Sequence, residues 1–238
     1  MIFADLHIHS CLSPCGDLEM GPSQVIDSIL ALGISLFAIT DHNSTRNCRA
    51  FMDLASKRGI RCIPGIEVTS SEEAHILCYF DSLLHAERFG QLIEESLLPF
   101  PIDDSMGMQV VVNSDEEVED IVANYLGIAS SYTISEIVEL AHAHDGIVVP
   151  AHVDKPVFSI ISQLGFIPDD PFDAIELSYG CLQRGEQSRI QYRNPVISGS
   201  DAHYPDDIGR VKIQLICGID APIAEIVSSV HELCVSSK

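Results

Sequence analysis

The chain is 238 residues long, 46% hydrophobic and 20% charged, and its 35 acidic against 13 basic residues leave a formal net charge of −22. That length suits one large domain with room for an insertion, and the lack of an apolar run of about 18 residues excludes a membrane-spanning helix. So acidic a chain disfavours long duplex nucleic acid and anionic membranes as partners, unless bound cations reverse the sign locally.

The first predicted element is a strand over 2–9. Strand alternation sets Asp5, His7 and His9 on one face and Ala4, Leu6 and Ile8 on the other. An imidazole- and carboxylate-bearing face is costly to bury unless something pairs with it. A metal ion fits that need, as do hydrogen-bonded histidines on an edge strand. The same residues occupy the place where a secretory signal would be apolar. The eight cysteines form no Cys-x-x-Cys pair, so the chain reads as reduced and cytoplasmic, with Cys11 and Cys15 notable for lying beside the His-x-His strand.

Further along, strands are predicted over 35–40, 60–66, 74–80, 109–112, 147–151, 173–178, 195–199 and 211–216. Helices are predicted over 22–32, 45–58, 85–98, 115–126, 133–144, 156–164 and 221–234. Pro22 and Pro222 suit first turns, and Gly33, Gly59 and Gly127 suit helix ends. Alternation of this kind predicts an α/β fold with a parallel sheet buried on both faces, closed into a barrel or left open and doubly wound. The stretch 81–131 breaks the rhythm and reads as an insertion or cap over one end of the barrel. Its acidic run Asp115–Asp120 suits a solvated helix N-terminus.

Metal-type residues gather at the ends of these strands. Asp41 and His42 follow the run Leu36–Thr40, Glu67 ends the strand Cys62–Ile66, His75 opens the next, His152 follows Ile147–Ala151, and Asp201 and His203 follow Val196–Ser200. In a parallel barrel the C-terminal strand ends share one face, where catalytic groups gather. Satisfied core histidines would each need a separate buried partner. His142 and His144, near a predicted helix C-terminus, read as structural, and His85 and His231 as surface residues within helices.

The motifs Asp5-Leu-His7-Ile-His9-Ser10, Thr40-Asp41-His42-Asn43, Gly65-Ile66-Glu67-Val68-Thr69, Ala151-His152 and Gly199-Ser200-Asp201-Ala202-His203 resemble, in order, the polymerase and histidinol phosphatase (PHP) family. The resemblance implies one PHP domain over 1–238, a distorted (β/α)7 TIM-like barrel, and two or three divalent ions (Zn, Mn or Fe) at the C-terminal strand ends. It implies phosphoester hydrolysis by a metal-activated hydroxide, on a small phosphomonoester or nucleotide. Carried over, it puts His7, His9, Glu67 and Asp201 around one ion, with Glu67 bridging to a second held by His75 and His152. His42 and His203 would hold a third with a loop carboxylate. There the chain departs from the family pattern, and Asp17 competes with Cys15, whose thiolate would favour a softer ion. His7, His9, Glu67, Asp201 and His203 are the expected catalytic groups. Asp5 and Asp41 would accept the outward N–H groups of ligating imidazoles, and Lys155 and Arg184 would contact phosphate. Trimming of short oligonucleotides, a metal-stabilised fold without catalysis, and hydrolysis of a carbon–nitrogen bond are the other readings of the same pattern.

Overall fold

Apolar strands alternating with amphipathic helices bury both surfaces only by layering helices on a sheet. The computed structural model, which describes residues 2–103, 106–190 and 192–235, shows this arrangement. In chain order it runs β1 (Ile2–Ile8), α1 (Pro22–Ala31), β2 (Leu36–Ile39), α2 (Cys48–Lys57), β3 (Arg61–Thr69), β4 (His75–Phe80), α3 (Leu83–Ser96), β5 (Val110–Val112), β6 (Val118–Ile121) and α4 (Ile134–Ala143). It continues with β7 (Gly146–Pro150), α5 (Ile160–Leu164), β8 (Ile175–Glu176), α6 (Tyr179–Arg184), β9 (Val196–Ile197), β10 (Val211–Leu215), α7 (Ile223–Ser228) and β11 (Val230–Val235).

Seven strands form a curled sheet in the order β11-β10-β1-β2-β3-β4-β7, and β8 pairs with β9 in a separate parallel pair. A few backbone bonds tie that pair and its adjoining loops to both flanks. Asp173 N donates to Val148 O and Val153 N to Glu176 O, both at 2.9 Å, and His9 N donates to Ala202 O at 2.9 Å. Inside the curl lies one apolar cluster that includes Ala4, Leu6, Leu36, Ala38, Ile63, Leu77, Val149 and Ile197. Outside it, one cluster joins the sheet to α1 and α2, and another joins it to α3 and α4.

The sheet is mixed, not parallel throughout. β1, β2 and β3 are parallel, while β4 runs antiparallel to both β3 and β7, and β10 and β11 are antiparallel additions. The reason is length: residues 70–74 are too few for a parallel crossover, which needs a dozen or more. The reversal sets His75 opposite Thr69 in register, so the first residue of β4 reaches the rim where β3 ends.

Two predicted helices are corrected. Over 115–126 the chain forms the hairpin strand β6 and loops. Asn113 Oδ1 accepts from Asp115 N and Glu117 N, both at 3.0 Å, and this turn reverses the chain before a helix can start. Gly127 accordingly ends no helix. Glu116 instead caps another one: its Oε1 accepts from Ser23 N at 3.0 Å, at the N-terminus of α1. Over 221–234, α7 stops at Ser228 and β11 pairs along β10, so His231 lies on a strand. The helix expected from 156 starts only at Ile160, after the Ser159 capping box. Within the stretch 81–131, Ala86, Phe89 and Ile93 of α3 join the main apolar cluster. The remainder is held by buried amides, including Asn43 Nδ2 to Leu126 O at 2.7 Å and Asn47 Nδ2 to Val110 O at 3.0 Å.

Candidate metal centre

The register between β1 and β2 shifts between Asp5 and Ile8, a bulge of the kind that re-aims side chains. Leu6 stays in the inner cluster while Ile8 packs with Val25 and Ile29 of α1. His7 and His9 turn towards each other, their Nε2 atoms 3.2 Å apart. Asp5 does not share their environment: Oδ1 accepts from Ser200 N at 2.9 Å and Oδ2 from Gly209 N at 3.0 Å. It therefore anchors the loop that carries Asp201. Burial pushes the Asp5 carboxyl up, against these hydrogen bonds.

The other strand ends converge on the same point, and Glu67 is its hub. Oε1 lies 3.0 Å from His75 Nδ1, 3.1 Å from His152 Nε2 and 3.4 Å from His7 Nε2. Oε2 lies 3.1 Å from His42 Nδ1 and 3.4 Å from His9 Nε2. Asp201 Oδ1 lies 3.5 Å from His7 Nε2 and 3.4 Å from His9 Nε2. The His203 ring stacks on His9 with centroids 4.0 Å apart. Both His152 (φ 29°) and Asp201 (φ 51°) sit in the left-handed region, a strained setting for side chains that is met at functional sites.

Ligand atoms close enough to share an ion fall into three overlapping sets: His7, His9 and Asp201; His42, Glu67 and His75; and His9, His42 and His203. Among the described residues, His42 Nδ1 and Glu67 Oε2 are buried without a hydrogen-bond partner. His42 thus falls in two sets, with His203 in one and with Glu67 and His75 in the other.

The outward ring nitrogens decide whether imidazoles can ligate. His7 Nδ1 lies 3.0 Å from each oxygen of Glu176, and His9 Nδ1 lies 2.9 Å from Ser13 Oγ. Ser13 Oγ in turn donates to Asp41 Oδ1 at 2.7 Å. When the two rings are neutral and both Nδ1 atoms donate, the Nε2 lone pairs face each other beside two carboxylates. Lone pairs so placed repel, and a divalent cation satisfies them, so this donor set fits metal. The expectation that Asp5 and Asp41 accept directly from imidazoles is corrected: Asp41 acts through Ser13, and Glu176 takes the role assigned to Asp5. Glu176 was missed from sequence, although a lone acid in the apolar run Ala174–Leu177 was a signal for it.

Electrostatics follow from this crowding. Burial opposes charge on Glu67, but His75, His7 and His42 outweigh it and hold the carboxyl well below its usual range. Asp201 is likewise held low against burial by His7, His9 and Lys155. Burial opposes protonation of His7, yet Glu176, Glu67 and Asp201 raise it well above the ordinary value. His9 is raised against burial by Asp201 and Glu67. His42 is raised to about 9, since Glu67 and the Cys15 thiol outweigh burial and His9. Burial brings His75 down to about 4, and burial with His9 brings His203 down to about 2.

Lys155 forms an ion pair with Asp201 Oδ2 and lines a cleft of about 220 Å³ beside the centre, with His152, Tyr179, Arg184 and Arg210. Arg184 Nε donates to Glu186 at 2.6 Å. Arg210, which sequence reasoning missed, donates to Ser200 O at 2.6 Å and lies 5.1 Å over the Tyr179 ring. Asp17 N donates to His203 O at 2.8 Å, but its Oδ1 accepts from Glu19 N at 2.8 Å and lies outside the three ligand sets. His142 pairs with Asp173 at 3.0 Å and His144 donates to Leu140 O at 2.8 Å, both at the end of α4 and away from the centre. His85 lies 3.4 Å from Asp145.

Comparison with known proteins gives four relevant results. Residues 5–235 match the family model of the PHP domain. Over 71 residues the chain is 38% identical to a 3′,5′-nucleoside bisphosphate phosphatase of Chromobacterium violaceum, covering 30% of this chain and 24% of that protein. The lesion-specific endonuclease PfuEndoQ of Pyrococcus furiosus superposes with a TM-score of 0.62 at 19% identity, over 98% of this chain and 57% of that one. A candidate metal-dependent phosphoesterase from Bifidobacterium adolescentis superposes with a TM-score of 0.58 at 21% identity, over 84% and 87% of the two chains. The two solved structures share the fold, and the chain spans only part of the first two relatives.

Proposed function

Because the chain belongs to the PHP domain family, we propose that it is a divalent-metal-dependent hydrolase of phosphoester bonds, acting on a small phosphomonoester or nucleotide. The observation that carries this reading is the meeting of His7 and His9 at 3.2 Å beside Glu67 and Asp201, with both outward ring nitrogens engaged. The strands β1, β2, β3, β4, β7, β8 and β9 are read as a distorted (β/α)7 barrel, and the chain as one domain with 81–131 as an inserted, cap-like stretch. Two or three ions of zinc, manganese or iron are assigned to it. His7, His9, Glu67 and Asp201 would hold one, Glu67, His75 and His152 a second, and His42 and His203 a third, with Asp17 or Cys15.

Divalent ions at such a site lower the pKa of water and offset charge building on phosphoryl oxygens. The chain's own residues then bind and orient the ester. Lys155 exchanges Asp201 for a phosphate oxygen, as a point charge on a flexible arm. Arg184 and Arg210 meet a second anionic group across the cleft, where a guanidinium fork suits phosphate. Asp5 and Asp41 position Asp201 and His9 through Ser200 and Ser13.

All eight cysteines are free, which supports a reducing, cytoplasmic setting. No helix is long and apolar enough to cross a membrane among the described residues. A net charge of −22 favours short substrates over long duplexes. The test is metal analysis together with a panel of phosphomonoesters, nucleoside bisphosphates, dinucleotides, short oligonucleotides and duplexes, with manganese or zinc. Turnover of monoesters or nucleotides that ceases on chelation is expected. Activity confined to oligonucleotides would replace this reading with an exonuclease, and bound metal without turnover would replace it with a metal-stabilised fold.

A further inference from the structure

We propose that Glu176 is a positioning residue that locks the His7 ring with its proton on Nδ1 and clamps the β7 end to the β1 end of the centre. The inference rests on the metal-centre reading above and names a residue through which that centre is tuned. Glu176 ends β8, between Ile175 and Leu177, which both join the apolar cluster beneath α4. Alternation along the strand turns its side chain the other way, and it is 1% exposed. A carboxylate so buried demands donors. It finds two: the His7 ring of β1, at 3.0 Å from both oxygens, and His152 N in the turn just past β7, which donates to Oε2 at 2.9 Å.

The space around it is shaped for this pairing. A Cβ at Gly199 would lie 2.4 Å from His7 Cβ and 3.0 Å from Glu176 Oε1. Glycine there lets the ring and the carboxylate approach each other. The hydrogen-bond inventory then explains why the residue is glutamate. Both of its partners are donors, so both oxygens must accept. Glutamine has one acceptor and one NH2. If its oxygen takes the Oε2 place, 2.9 Å from His152 N and 3.0 Å from His7 Nδ1, its NH2 lies 3.0 Å from the same Nδ1, where it opposes the ring proton and favours the tautomer protonated on Nε2. That atom faces His9, Glu67 and Asp201, and a protonated Nε2 cannot ligate. If the oxygen takes the Oε1 place instead, two N–H groups collide at His152. Either way the inner set His7, His9 and Asp201 loses a ligand or its placement.

The test compares the unaltered chain with Glu176→Gln. Zinc affinity is read by competition with a chromophoric chelator, the His7 ring-proton position by 15N NMR of the zinc-loaded protein, and folding by thermal unfolding in chelator. The expected result is zinc binding weaker by about 10- to 100-fold, with the hydrogen-bonded Nδ1 proton signal lost and the metal-free unfolding transition retained. A purely structural role would not move the ring proton. Should the glutamine variant fail to fold, Glu176→Asp keeps both acceptors on a shorter arm, and binding between the two extremes is expected of it. Zinc binding and an Nδ1 signal unchanged in Glu176→Gln, or zinc binding unchanged in Glu176→Asp if that is the folded variant, would overturn the inference. Failure of the unaltered chain to bind zinc or manganese would overturn the metal-centre reading and this inference with it.

Discussion

Replacing Glu67 with glutamine is expected to strip the centre of metal while leaving its outline intact. Glu67 is fully buried and lies within 3.0–3.4 Å of the imidazoles of His7, His9, His42, His75 and His152. Gln matches its size, so packing of β3 against β4 is preserved. What changes is one negative charge. At an effective dielectric constant near 20, a unit charge 4 Å away is worth about 4 kcal/mol, or about three decades in an equilibrium constant. A doubly charged ion gains more, but sparing the carboxylate its desolvation returns several kcal/mol. The balance is a loss of about 10²- to 10³-fold in affinity. Metal content after dialysis, followed by chelator competition, reads this directly. A full complement of metal with unchanged affinity in Glu67→Gln would refute the assignment of this carboxylate as the shared ligand.

Lys155→Ala is expected to lower kcat/KM by about 10- to 100-fold, the worth of a charge-assisted hydrogen bond, while metal binding holds or tightens because Asp201 loses its competing cation. Weakened metal binding in that variant would show Lys155 to be structural. Cobalt-loaded protein distinguishes the third-ion candidates: a thiolate charge-transfer band lost in Cys15→Ser assigns Cys15, whereas loss of one ion in Asp17→Asn assigns Asp17. The pH dependence of the metal-free protein follows from its raised imidazoles. His7, His9 and His42 are held above the ordinary 6.5, so their contribution to stability is complete below that value and is lost as pH rises through the folded value, about 9 for His42. The unfolding temperature in chelator should therefore fall across this window, and metal binding near neutrality should release protons. Flat stability across it would contradict the sign.

Most of the centre was legible in the sequence because strand ends and residue types carry the information. His42, Glu67, His152, Asp201 and His203 each directly follow or end an apolar run, and the fold brings those ends together. His75 was legible by type, but its arrival at the rim depends on the antiparallel turn at residues 70–74, a matter of loop length. Asp5 was misplaced because alternation assumes an unbroken strand, and β1 carries a bulge between Asp5 and Ile8. Glu176 and Arg210 belong to no local pattern. They join the site through contacts distant in the chain, Glu176 to His7 and Arg210 to Ser200. The acidic run Asp115–Asp120 has a helix-start composition, but the Asn113 side chain satisfies the backbone as a turn, and one of its acids caps α1 instead.

The measurement that bears most directly on the account is hydrolysis of a nucleotide monoester by one preparation assayed metal-stripped, then reloaded with manganese or zinc. Turnover absent from the stripped protein and restored in proportion to bound metal is the predicted result. Equal turnover in the stripped and reloaded protein, or none in either, would contradict it.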